Sequence, residues 1–150
     1  MKSQVKRPTG ILHLVHTDAD GRILAEFTRK NLVVDTGVTY LAARNAGTSV
    51  AAISHMAVGS VNTAPVVGNT ALGTELGRVA ASHVLVTTTL TNDTVAYSST
   101  FGPGVATGTL AEAGLFNAGA AGLMVSRIVF PDVNKGVNDT VTATWSLQSH

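Results

Sequence analysis

Thr140-Val141-Thr142-Ala143-Thr144-Trp145-Ser146-Leu147-Gln148 is the stretch that decides the fold. Val141, Ala143, Trp145 and Leu147 alternate with Thr140, Thr142, Thr144, Ser146 and Gln148. An extended chain turns successive side chains to opposite sides, so this segment as a strand has one apolar face and one hydroxyl face. A helix would spread the same residues around its axis and bury neither set cleanly.

The same two-residue period recurs upstream. In Thr94 to Phe101 the set Val95, Tyr97, Ser99 and Phe101 opposes Thr94, Ala96, Ser98 and Thr100. Thr91-Asn92-Asp93 joins that strand to one expected over Arg78 to Leu90. Thr109 to Phe116 and Gly122 to Phe130 read as an antiparallel pair across Asn117 to Ala121. Thr9 to Thr17 and Arg22 to Arg29 flank Asp18-Ala19-Asp20-Gly21, in which Asp supplies local hydrogen bonds and Gly tolerates positive φ, so they read as a hairpin. Ile53 to Val58 is a further short strand.

Two interruptions are helical in character. Thr36 to Ala46 is Ala-rich, with Asp35 or Thr36 as cap, Gly47 at its end, and Tyr40, Leu41 and Arg44 on adjoining turns. Asn69 is placed to cap a single turn over Thr70 to Leu76, after a polar loop, Gly59 to Gly68, broken by Pro65. Eight strands and one short helix, with turn signals too frequent for parallel βαβ units, predict an all-β antiparallel β-sandwich, jelly-roll-like in strand number. A single domain over residues 9–150 follows an N-terminal arm, residues 1–8.

Composition narrows the function classes. The 150 residues carry 10 Lys and Arg against 9 Asp and Glu, a formal net charge of +1, and charged residues make up only 13%. That is about half the usual share, so the surface is covered by small neutral side chains, which repel neighbouring copies weakly. Phosphate binding needs a clustered basic patch, and the one local group is Lys2, Lys6 and Arg7, so no nucleic-acid partner is expected. The chain has no cysteine, which excludes disulfides, thiolate catalysis and Cys-zinc sites. With no signal-peptide pattern and no apolar run of about 20 residues, assembly in a cytoplasm and no membrane partner are expected.

The search for chemistry yields no catalytic motif. Asp18-Ala19-Asp20-Gly21 resembles the opening of a calcium loop, but the position that requires Glu holds Arg29. His13 and His16 are an odd number of positions apart on one strand, so they leave opposite faces. Gly102-Pro103-Gly104-Val105-Ala106-Thr107-Gly108 lacks both the dinucleotide spacing and the Lys of a phosphate loop. Asn92-Asp93-Thr94 and Asn138-Asp139-Thr140 read as hairpin turns. No enzyme activity, cofactor or metal is expected. Glu75, Arg78, Glu112 and Arg127 sit in otherwise apolar or small-residue segments, where an unpaired charge costs several kcal/mol, and so are expected to pair, Glu112 with Arg127 or Arg78.

Several blocks together resemble a family. They are Lys30 to Val34, His55 to Ser60 with Thr63-Ala64-Pro65, Asn69 to Arg78, Glu112 to Asn117, Arg127 to Phe130 and Val141 to Leu147. From about residue 20 onward the chain is similar to small structural proteins of tailed-bacteriophage virions, described as decoration, collar, baseplate and tail-fibre components. The resemblance implies a non-catalytic role in the particle and other virion proteins as partners, either the major capsid protein or tail proteins.

The leading expectation is a homo-oligomeric capsid decoration, or cement, protein. A tail, collar or fibre-attachment component is the alternative, and a glycan-binding module is an alternative of another class. Lys2, Lys6, Arg7, Asn62 and Pro65, on the arm and on the loop Ser60 to Gly68, are the expected assembly contacts.

Overall fold

The computed structural model describes residues 6–149. Ten strands and one helix follow in order: β1 (Thr9–Thr17), β2 (Ile23–Lys30), β3 (Leu32–Val33), α1 (Asp35–Asn45), β4 (His55–Gly59), β5 (Glu75–Ala80), β6 (Ser82–Val86), β7 (Thr94–Phe101), β8 (Gly108–Phe116), β9 (Met124–Lys135) and β10 (Thr140–Gln148). They form two antiparallel five-stranded sheets, β2-β1-β10-β7-β6 and β3-β9-β8-β4-β5. The all-β sandwich is therefore the architecture of the molecule. Its likeness to a jelly roll is one of scale, because β1–β2, β4–β5, β6–β7 and β8–β9 each connect within one sheet.

Strands β7 and β10 have the bounds that alternation gives them, and β10 pairs in unbroken register with both neighbours. Its apolar side chains Val141, Ala143, Trp145 and Leu147 are buried, facing inward with Leu12 and Leu14 of β1 and Phe101 of β7. Met56, Val58, Ala113, Leu115, Ile128 and Phe130 from the second sheet join the same core.

Two strands more than the eight expected have simple causes. The segment read as one strand from Arg78 to Leu90 bends at Ala81, whose N–H donates to Ser54 O, and β5 and β6 lie in different sheets. Leu32-Val33 forms a two-residue pairing with Arg127 and Ser126 of β9. Strand β9 also runs past Phe130 to Lys135. Pro131, which has no N–H to give, falls where the β8–β9 register shifts between Leu110 and Glu112, and such an irregularity is where a strand tolerates proline.

Other expectations are corrected. Residues 70–76 form no helical turn; Asn69 instead accepts hydrogen bonds from Val66 N and Arg127. The residue capping α1 is Val34, with no side-chain cap. Asp35 is occupied by Arg7, and the Thr36 hydroxyl donates to Met124 O at 2.7 Å, which ties the helix to β9 instead. Gly37 makes that close approach possible, since a Cβ there would lie 2.0 Å from Val125 O.

The two sheets differ in what covers them. β1 and β10 alternate between buried and more open positions, whereas β4 and β8 are buried almost continuously. The outer side of the second sheet carries its own small apolar cluster, Val34, Ala57, Phe116 and Met124, joined by Leu72 from the long β4–β5 connection that covers it. That connection is a lid, and charged side chains hold it in place.

Candidate functional site

Glu112 and Arg127 lie opposite neighbouring positions of β8 and β9 on the lidded side of the sheet. Glu112 is 0% and Arg127 3% exposed. Arg127 donates to Glu112 Oε2 through Nε at 3.0 Å and Nη2 at 2.8 Å. The rest of both groups grips the lid. Glu112 accepts from the N–H groups of Val61, Gly73 and Thr74, and Arg127 donates to Thr63 O and Asn69 Oδ1. A buried ion pair is tolerated only when such additional bonds satisfy its remaining donors and acceptors. The lid's backbone supplies them, and so is fixed at both of its ends.

Arg78 takes a different partner. Its guanidinium meets both carboxylate oxygens of Glu75 at 2.7 and 3.1 Å, donates to Ala118 O and Ala121 O, and stacks 3.8 Å over the Phe116 ring. This second pair pins the β8–β9 turn. The four charges singled out in the sequence therefore make two staples on one side of one sheet, and Glu112 meets Arg127 rather than Arg78.

The expected assembly contacts divide. Lys2 lies outside the described residues, and Lys6 is exposed. Arg7 is committed within the chain, donating to Val33 O and to Asp35. Asn62 is exposed and Pro65 half-buried, on a lid that the Glu112–Arg127 pair already holds, so this loop is ordered before any partner arrives.

A third polar centre was not singled out in the sequence. His16 points inward, unlike His13, and its Nε2 lies 2.9 Å from Asp139 in the β9–β10 turn. That hydrogen bond, with one from Gly136 N, holds the Asp139 carboxyl below its ordinary range. Lys135 is 2% exposed and donates to Gly102 O at 2.9 Å. Burial pushes its ammonium pKa down, and nearby Asp139 pulls it partway back. Asp93 plays a similar part in the β6–β7 connection. Its carboxyl is held well below the usual range, first by Leu90 N–H and then by Thr88 and Thr89. Both aspartates belong to the Asn-Asp-Thr turns visible in the sequence; the long-range partner of Asp139, His16, was not visible there.

The remaining surface of interest is the outer face of the β2-β1-β10-β7-β6 sheet. Register places His13, Thr144, Ser98 and Ser82 in one row, Val15, Thr142 and Thr100 in a second, and Ile11, Ser146, Ala96 and Val84 in a third. Among the described strand residues, charges reach this face only from the edge strand β2, through Glu26 and Lys30. Among the described residues no three His, Cys, Asp or Glu side chains converge as a metal site, and no helix is long and apolar enough to cross a membrane. Comparison with known proteins finds no matching family model, curated sequence or solved structure.

Proposed function

We propose that this chain is a structural protein of a tailed-phage particle, a capsid decoration protein that binds over joints between major capsid subunits. The observation carrying the reading is the broad, uncharged outer face formed by β1, β10, β7 and β6, with its rows of Thr and Ser broken by Val, Ile and Ala. Covering hydroxyls costs far less than covering charges, and each hydroxyl can both donate and accept toward a new partner. Threonine is also stiff at χ1, so little side-chain freedom is lost on docking. A repeated particle multiplies such a modest contact through avidity. The sequence resemblance to virion proteins points the same way, and a tail or collar position is the second reading it admits.

The opposite sheet supports the division of labour. Four of its charges, Glu75, Arg78, Glu112 and Arg127, are spent holding a lid and a turn onto the body, on the side away from the open face. The test is addition of purified protein to phage heads depleted of it, using the wild type and a Ser98→Lys, Thr144→Lys double variant. Wild-type protein should occupy the heads. The double variant should still melt cooperatively, with a midpoint lowered by the two directly opposed lysines, and should fail to bind at temperatures where it is folded. Full occupancy by the variant would overturn the role given to this face, and failure of the wild type to bind would overturn the function.

A further inference from the structure

We infer that β6 is a self-association edge, across which a second copy of this chain adds its own β6 antiparallel to the first and continues the five-stranded sheet through a two-fold axis. Four strands end the two sheets, and three are blunted. β2 carries Glu26, Arg29 and Lys30, β5 carries the Glu75–Arg78 pair, and β3 is two residues long. Short length and charge are the ordinary means by which a sheet edge is kept from pairing. β6 has neither charge nor proline, and no Asp, Glu, Lys or Arg occurs anywhere from residue 79 to residue 92.

Among the described residues the strand is paired on one side only, with β7. Alternate backbone N–H and C=O groups therefore face away from the sheet, and another extended strand matches their spacing. The side chains agree. Val84 is 59% and Leu85 55% exposed, on opposite faces of the strand, so a helix or loop laid over one face would leave the other uncovered. Beneath β6 the sandwich gapes. A groove of about 330 Å³ opens there between Leu85, Val95, Tyr97 and Leu147 on the sheet and Tyr40 and Leu41 on α1.

The choice of a second copy over another partner rests on charge. A two-fold contact brings each residue against its own kind or its mirror position, so a charged edge opposes itself and a neutral one does not. Centred on Val84, the pairing sets Val84 against Val84, His83 against Leu85 and Ser82 against Val86. Each contact is neutral, and the groove of each copy adjoins that of the other. This inference goes beyond the proposed function, since it concerns contact between copies and does not depend on which particle, if any, they join.

The absence of cysteine makes a direct test available. Residues directly opposite in antiparallel strands have Cα atoms about 4.5–5.5 Å apart, within reach of a disulfide. Full-length Val84→Cys, mildly oxidised, should run as a covalent dimer on a non-reducing gel, while Leu24→Cys on the blunted β2 edge should not. By sedimentation the wild type should exceed its 15.4 kDa monomer mass. Val84→Lys should keep the near-ultraviolet signal of buried Trp145 and dimerise about tenfold more weakly or worse, because like charges oppose each other across the axis. The inference is overturned if Val84→Cys crosslinks no faster than Leu24→Cys. A wild type that stays monomeric at sub-millimolar concentration, as it would if the edge takes a strand from a different protein, overturns it equally.

Discussion

Glu112 is the residue on which most of the lidded side depends. Truncating it leaves Arg127 buried without its counter-ion and three lid N–H groups without an acceptor. Breaking one partner of a buried pair costs about 3–5 kcal/mol, so Glu112→Ala should lower urea-unfolding stability by that order. Removing Arg127 as well, with Arg127→Met, should restore part of the loss, and a double-mutant cycle measures how much. Additive losses would mean that the two side chains act separately. Asp139 and Asp93 are expected to contribute to the loss of stability in acid. A carboxyl held below its unfolded value of about 3.9 contributes stability above that pH, and the contribution is lost as pH falls through the folded value. Asp139→Asn should therefore flatten the acid limb of the stability curve below about pH 4 and change its slope little near neutrality.

Among the elements, the lid between β4 and β5 shows how a backbone position can carry a side-chain network. A Cβ at Gly59 would lie 2.2 Å from Thr74 O and 2.5 Å from Glu112 Oε1. Gly59→Ala should cost about 1–3 kcal/mol as an overpacking change and should raise hydrogen exchange selectively over residues 60–74. Equal protection in both proteins would contradict the lid's dependence on this contact. Elements with a solvated face were legible from sequence. Alternation gave β7 and β10 their bounds, because each has water on one side and core on the other. Strands β4 and β8 are covered on both sides and carry no such alternation; the sequence reading starts β4 two residues early, at Ile53, yet bounds β8 to within one residue. The bend at Ala81 was hidden because β5 and β6 are both β-prone and nothing in the local sequence separates them. The apparent helical turn at 70–76 failed because Asn69 is drawn to Arg127, from a part of the chain that no local pattern can see.

Over the whole molecule the two sheets do different work. One is sealed by a stapled lid, and the other presents hydroxyl rows outward with an undefended strand at its end. The sequence carried the charges of the staples, since Glu112 and Arg127 stood out among apolar neighbours. It could not carry their geometry, the commitment of Arg7 to Asp35, or the inward turn of His16 toward Asp139, each of which joins residues far apart in the chain. The proposed assignment to a phage particle is tested most directly by counting this polypeptide in virions purified from the cells that make it. The account predicts hundreds of copies, spread over the head. Particles that lack the chain, with the protein remaining free in the infected cell, would contradict it.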